Sequence, residues 1–248
     1  MPAITAPFRM EQLGDTLYLA VSSAHTFGSD AFLLARFAGE ALRRGDAAAD
    51  LGTGCGIIAF LLYKNRRPRA VWGVDIQPAA IRQFEASLRY SEEKGEDFAG
   101  ILRPLEADLN DLKGKLPFDA FDLVTCNPPY KAAGGGILSA EAPHQIARHE
   151  LACTLDGVCA AAGKLLRTGG RLCICQRPER LADLICSMRA HRIEPKRVQA
   201  VAKDGSSEPW LILVEGKKGA KPFLRLLPTL VFDRETAAAI TGYGPSGR

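Results

Sequence analysis

The chain has 248 residues, 47% of them hydrophobic and 24% charged, with a formal net charge of +4. That length suits one large domain or a domain with small appendages, and the composition belongs to a globular protein rather than a disordered or fibrous one. No apolar run reaches the roughly 18 to 20 residues of a membrane helix, and the mildly basic balance is compatible with nucleic acid without pointing to it.

Up to about Val21 the residues read as a small β-hairpin turning at Gly14-Asp15, followed by a polar loop, His25-Thr26-Phe27-Gly28-Ser29-Asp30. A helix is predicted over 31–43, with Asp30 a candidate N-cap. From 47 to about 191 strands and helices alternate, the pattern of a parallel α/β sheet. Ala47-Ala48-Ala49-Asp50 is its first strand and runs into Leu51-Gly52-Thr53-Gly54-Cys55-Gly56; the apolar run 57–62 then reads as helix. A second strand, Ala70–Asp75, ends in an acid, a helix follows over 81–93, and a short strand over 101–106 ends at Ala107-Asp108-Leu109-Asn110. A turn residue is the alternative reading of Asp108. Residues 118–122 lead into the apolar run Leu123-Val124-Thr125-Cys126, a strand buried on both faces. Gly134-Gly135-Gly136 marks a loop with the character of a lid. Thr154 caps a helix that reaches 166, Gly169-Gly170 turns into a strand over 171–176, and 197–202 with 210–215 form a terminal antiparallel pair joined by the polar loop 203–208.

Two strand ends carry the chemistry. Glycines at 52, 54 and 56 permit a tight strand-to-helix turn and let a ligand approach the backbone. Gly54-x-Gly56-x-x-Ala59 satisfies the dinucleotide fingerprint, but Asp50 sets a carboxylate just before the loop, where a pyrophosphate wants only amides and the positive helix end. S-adenosylmethionine has no phosphate and carries a sulfonium and an ammonium, which suit that carboxylate. Asp75 is placed to bind ribose hydroxyls, present in both cofactors. The second strand end is Asn127-Pro128-Pro129-Tyr130. Its prolines remove two backbone donors and hold the segment extended, leaving as acceptors the Asn127 side-chain oxygen and the Pro128 carbonyl, beside the Tyr130 ring. Acceptors next to a stacking platform suit a planar, conjugated amine.

The remaining polar residues say less. Seven cysteines form no C-x-x-C pair and follow no secretory signal, which indicates a reducing, cytoplasmic setting; Cys173 and Cys175 alternate along one strand and read as core. Four histidines without ligand spacing give a metal site no support. Arg66-Arg67-x-Arg69 and Lys217-Lys218-x-x-Lys221 read as solvated faces. Arg148 and His149 would reach a phosphate or base, or else form a helix-surface cluster with Glu150; both readings stay open.

Together these residues resemble a Rossmann-like class I methyltransferase of the amino-methyltransferase group, whose signature is Asp/Asn/Ser-Pro-Pro-aromatic. The closer resemblance is to the bacterial tRNA adenine methyltransferases that modify the adenine beside the anticodon of one valine isoacceptor. It is carried by Phe27-Gly28-Ser29-Asp30-Ala31-Phe32-Leu33-Leu34, Asp50-Leu51-Gly52-Thr53-Gly54-Cys55-Gly56-Ile57-Ile58, Asn127-Pro128-Pro129-Tyr130, Ala147-Arg148-His149-Glu150 and the weaker Thr154-Leu155-Asp156. The chain departs from that family at Ser29, where Thr is commoner, and over 19–24, which lacks an expected Gln.

The resemblance implies a seven-stranded, mostly parallel sheet with an antiparallel terminal hairpin and a short N-terminal β-hairpin. Residues 1–45 would cap the cofactor site and 46–248 would form the methyltransferase domain. S-adenosyl-L-methionine would be held by Asp50, Gly52, Thr53, Gly54 and Gly56 at its methionine part and by Asp75 at the ribose. Ile76 would pack on its adenine, Asp108 and the Leu109 backbone would take the adenine amine, and Phe27, Ser29 and Asp30 would close from the N-terminal side. Asn127, Pro128, Pro129 and Tyr130 would form the catalytic motif, with Asn127 also near the cofactor. Tyr130, Lys131, Arg148 and His149 would meet a substrate expected to be RNA, most directly a tRNA near its anticodon, with no metal and no membrane. Two other readings stand beside it. One is a glutamine-amide methyltransferase acting on a translation release factor, a family that usually carries a helical domain before its glycine loop. The other is a non-catalytic protein that binds cofactor and RNA.

Overall fold

Along the central strands, side chains alternate between two apolar layers, and this alternation sets the architecture. The computed structural model describes residues 8–128 and 154–242. An N-terminal antiparallel hairpin, β1 (Arg9–Gln12) and β2 (Tyr18–Val21), precedes α1 (Ser29–Gly39). The main sheet follows: β3 (Ala47–Leu51), β4 (Ala70–Asp75), β5 (Leu102–Glu106), β6 (Phe121–Cys126), β7 (Leu166–Gln176), β8 (Ile193–Ala202) and β9 (Leu211–Lys218). Ala48, Leu123, Cys173 and Cys175 face one layer, under the hairpin, α1, α2 (Ile57–Arg66) and α3 (Pro78–Glu93). Ala49, Leu51, Val124, Cys126 and Ile174 face the other, under α4 (Leu155–Leu165) and α5 (Leu181–Ala190). Strands covered on both faces are necessarily apolar throughout, as the β3 and β6 sequences are.

The seven expected strands lie in the order β8-β9-β7-β6-β3-β4-β5, parallel except for β9, which runs antiparallel to both β7 and β8. Two further strands of two residues each, β10 (Arg225–Leu226) and β11 (Leu230–Val231), pair with β8 and extend the sheet to nine; α6 (Arg234–Thr241) then packs beside α1. From β3 the chain builds towards β4 and β5, then returns to place β6 on the other side of β3. The reversal opens a crevice at the carboxyl ends of β3 and β6, where open α/β sheets bind ligands.

Some expectations are corrected. Helix α1 starts at Ser29 with Gly28 as N-cap and no capping side chain, so Asp30 lies in the first turn and is not the cap. The helix also stops at Gly39, after which Ala41 and Leu42 close single i→i+3 turns instead of continuing it. Gly169-Gly170 makes no turn before a strand. It lies inside β7 as an irregularity, where the pairing with β6 jumps from Phe121–Leu166 to Leu123–Arg171. A Cβ on Gly170 would stand 2.7 Å from the Phe121 carbonyl oxygen, so bare backbone is needed for this close approach. Thr154 caps α4 as expected, its hydroxyl accepting from the Gly157 N–H at 3.0 Å.

Polar side chains hold the hairpin to the body. The outward edge of β2 meets the i, i+4, i+8 face of α3. The Ser91 and Ser87 hydroxyls accept from the amides of Tyr18 (2.9 Å) and Ala20 (2.8 Å), and Gln83 Nε2 donates to the Ala20 carbonyl at 2.7 Å. A helix stands in for the strand that an edge normally seeks.

In β4, Gly73 is closely approached by α3 and by the glycine loop. A Cβ there would lie 2.3 Å from Phe84 Cε1 and 3.0 Å from Thr53 Oγ1. Gly73→Ala is therefore expected to lower stability by about 1–3 kcal/mol through overpacking, read by urea denaturation. Gly45→Ala, with nothing within 4 Å of the new methyl, leaves the midpoint unchanged.

Candidate active site

The crevice begins at a buried acid. Asp50, the fourth residue of β3, is 1% exposed, and across the sheet it is paired with Thr125 on β6 and Gly73 on β4. Its carboxylate accepts from Thr125 Oγ1 and from Thr53 Oγ1, both at 2.7 Å. Burial pushes its pKa up to about 7, against the lowering effect of the two hydroxyls and with a smaller upward contribution from the charge of Asp75. The loop that follows passes through three glycines of positive φ (Gly52 67°, Gly54 55°, Gly56 88°), a conformation costly for other residues. It is tied to the next strand by the Thr53 N–H, which donates to the Val74 carbonyl at 3.0 Å, and Gly56 caps α2.

Asp75 ends β4 and is 2% exposed, its carboxylate accepting from the amides of Gly54 and Gln77, each at 2.9 Å. It therefore already shapes the glycine loop. Ile76, next in chain, is 36% exposed, an apolar side chain held out at a strand end. Asp108 follows β5 and accepts from the Asn110 amide (2.8 Å) and side chain (2.9 Å), the turn geometry expected of it, while Leu109 is buried.

Opposite stands Asn127, the first residue beyond β6. Cys126 is paired with Ile174, so Asn127 and Cys175 emerge side by side from neighbouring strands. The Cys175 thiol donates to Asn127 Oδ1 at 3.0 Å, and Asn127 Nδ2 donates to Asp30 Oδ2 at 3.0 Å. Pro128 is buried. Phe27 is half-buried with its ring edge-on to Phe32 at 5.7 Å, and Ser29 opens α1. Pro129, Tyr130, Lys131, the Gly134–136 lid, Arg148 and His149 lie outside the described residues. The structure thus brings Asp50, the glycine loop, Asp75, Ile76, Asn127 and Asp30 to one end of the sheet. Cys175, Thr125 and Gln83 were missed as site residues. Cys175 and Thr125 read as strand core, and Gln83 as an ordinary helical polar residue. The one available signal was the position of Thr125 two residues before Asn127, on the same side of the strand.

A model of the methyltransferase small domain family matches residues 22–185. The chain belongs to this family. It is 30% identical over 198 residues to the tRNA1(Val) (adenine(37)-N6)-methyltransferase of Porphyromonas gingivalis, covering 76% of this chain and 72% of that one, which bears out the resemblance drawn from the motifs. Among solved structures, a predicted O-methyltransferase from Agrobacterium tumefaciens superposes with a TM-score of 0.66 at 19% identity, over 88% of this chain and 99% of that one. A geranyl diphosphate methyltransferase in complex with SAM gives 0.54 at 14% identity, over 75% and 85%. These two likenesses bear out the Rossmann-like fold. The protein is an S-adenosyl-L-methionine-dependent methyltransferase. Its crevice fits that cofactor: open space at the Cβ position of Gly54, an exposed Ile76 beside it, and carboxylates but no phosphate-binding cation in the loop. Among the described residues, no group of three His, Cys, Asp or Glu is placed to hold a metal, and no helix is long and apolar enough to cross a membrane.

The Asp50 environment sets a pH dependence. Its folded pKa of about 7 lies above the usual carboxylate range, so between about pH 4 and pH 7 the folded state binds the proton that the unfolded chain has lost. Stability therefore falls as pH rises through this window and levels off above it. Comparison of wild type with Asp50→Asn by urea denaturation at pH 5 and pH 7.5 is expected to show the wild type losing more stability across the interval. Equal slopes would mean that Asp50 is ionised throughout.

Proposed function

We propose that the protein transfers a methyl group to the exocyclic amine of an adenine in RNA, most directly a tRNA near its anticodon. The observation that carries this reading is Asn127 at the switch point, followed by proline and facing the glycine loop across β3 and β6. The name of the relative that shares 30% identity supports the RNA substrate. The division of labour proposed for the chain follows the motifs. Residues 1–45 bring Phe27, Ser29 and Asp30 over the crevice; 46–248 carry Asp50, Gly52, Thr53, Gly54 and Gly56 for the methionine part, Asp75 for the ribose, and Ile76, Asp108 and Leu109 for the adenine.

Bound cofactor supplies an electrophilic methyl group on a sulfonium. A conjugated amine is a poor nucleophile because its lone pair is delocalised into the ring. The Asn127 oxygen and the Pro128 carbonyl accept the two amine hydrogens, draw the nitrogen towards tetrahedral geometry and stabilise the positive charge that develops on it. Pro128 and Pro129 hold the segment extended and bring no backbone N–H of their own. Tyr130 stacks on the base, which leaves its own stack to enter. Lys131, Arg148 and His149 are proposed RNA contacts, and the proton departs after transfer without a dedicated base.

Wild type incubated with labelled methyl donor and total tRNA, or total protein extract, from a strain lacking the gene is expected to yield labelled N6-methyladenine in the tRNA. Label in a release factor instead would move the acceptor to a glutamine amide. Asn127→Ala is expected to lower turnover by about 100-fold or more with cofactor affinity retained; turnover equal to wild type would refute the catalytic assignment and leave a binding protein.

A basic surface lies at the amino ends of β3 and β4, the end of the sheet away from the crevice. Arg36, Arg43, Arg44, Arg66 and Arg69, from the ends of α1 and α2 and the turns beyond them, form no ion pair among the described residues. Arg36 and Arg66 line a groove of about 630 Å3 between α1, α2 and α6. If tRNA phosphates lie here, Arg36→Glu with Arg66→Glu reduces the slope of log affinity against log salt by about 1.5, measured by filter binding, and leaves cofactor affinity unchanged.

A further inference from the structure

We infer that Asp30 is a positioning residue for methyl transfer: its carboxylate decides which way round the Asn127 amide stands, so that Oδ1 is presented as the acceptor. The inference rests on the proposed role of Asn127 and reassigns Asp30 from cofactor contact to control of the catalytic side chain.

A primary amide has nearly the same shape either way round, and the two orientations differ only in which end donates. For a substrate amine the difference is decisive, because its hydrogens need an acceptor and an inverted Asn127 would meet them with its own N–H groups. A carboxylate only accepts. With Asp30 Oδ2 at 3.0 Å, the nitrogen end of Asn127 must face it, since inversion would set two acceptor oxygens against each other and forfeit a charge-assisted bond. On the far side the Cys175 thiol donates to Oδ1 at 3.0 Å; a thiol can donate or accept, so the choice of orientation falls to the carboxylate. A carbonyl oxygen has two lone pairs and can accept from a thiol and a substrate amine together.

The neighbourhood of Asp30 is built for the contact. Its other oxygen, Oδ1, accepts from the Ala31 amide at 3.0 Å, which fixes the carboxylate in the first turn of α1. Gly28 makes room for it: a Cβ at that position would lie 2.7 Å from Asp30 Oδ1. The φ of Gly28 is −113°, which any residue can adopt, so what the position requires is space rather than a special backbone conformation. The loop that delivers α1 to this place is held by Gln83, fully buried on α3, whose Nε2 donates to the His25 carbonyl at 2.8 Å and the Ala20 carbonyl at 2.7 Å. Residues 97 positions apart in sequence are brought into register by these contacts.

The test is a double-mutant cycle on the purified full chain, with single-turnover methylation, cofactor calorimetry and 15N NMR of side-chain amides as readouts. Asp30→Asn keeps size and shape but offers Asn127 a partner that satisfies either orientation. The expected result is a fall of about 10- to 100-fold in the single-turnover rate, cofactor affinity within about twofold of wild type, and a shifted Asn127 side-chain resonance pair. In an Asn127→Ala background, Asp30→Asn should cost nothing further, because residues that act through one another are not additive. Gly28→Ala, which pushes the carboxylate aside and leaves Asp30 in the chain, should reproduce the pattern and serves if Asp30→Asn does not fold. Loss of cofactor affinity in step with the rate, or effects that multiply in the double variant, would overturn the inference. Calorimetry and NMR need no RNA, and the rates can be taken on whichever amine the wild type methylates. Failure of the RNA reading would therefore show as a different acceptor, with the cycle still decisive for Asp30.

Discussion

The site depends on keeping one carboxylate out of water. An ionised acid buried without partners is too costly to persist, and Asp50 is buried on the central strand of the sheet. The chain answers with two hydroxyls from different elements: Thr53 from the glycine loop and Thr125 from β6, the strand that delivers Asn127. The acid thereby joins the glycine loop to the strand that carries Asn127. Its other neighbour across the sheet, Gly73, leaves the space that lets Thr53 and Phe84 close in. Thr53 lies between two glycines of positive φ and Thr125 two residues before Asn127, so the loop and β6 are both tied to that one group.

A second acid repeats the device at lower cost. Asp75 takes the Gly54 and Gln77 amides and so shapes both the loop beside it and the start of α3. Helix α3 in turn carries Gln83, Ser87 and Ser91, which hold the N-terminal hairpin and the loop leading to Asp30. Hydrogen bonds thus link Asp75 to α3, and α3 to the loop five residues before Asp30. They give the first 45 residues a physical reason to sit where they do, beyond the burial of Leu17, Leu19 and Val21.

The parts of the fold legible beforehand were those governed by local rules. Ala70–Asp75 was readable because a short apolar run ending in an acid has one good use in a parallel sheet, and Thr154 because its hydroxyl stands three residues before the amide it caps. Local rules also misled. Gly169-Gly170 looks like a turn, yet the Phe121 carbonyl from another strand needs that space, so the glycines lie inside β7. Strands β10 and β11, at two residues each, are too short to show alternation and exist only because β8 offers them an edge.

By itself the sequence determined the class of protein and the chemistry of its two strand ends. Glycine spacing, an acid before a loop and consecutive prolines are constraints carried by neighbouring residues, and neighbours are what a sequence displays. Tertiary structure alone decided which groups face one another. Thr125 meets Asp50 through strand register, and Cys175 meets Asn127 because Cys126 is paired with Ile174, which sets the next residues side by side. Asp30 leaves its expected capping role to hold Asn127 because α1 begins two residues early and packs over β6. Hydrogen bonds between residues 48 to 97 positions apart depend on distances in the folded sheet, which spacing along the chain does not encode.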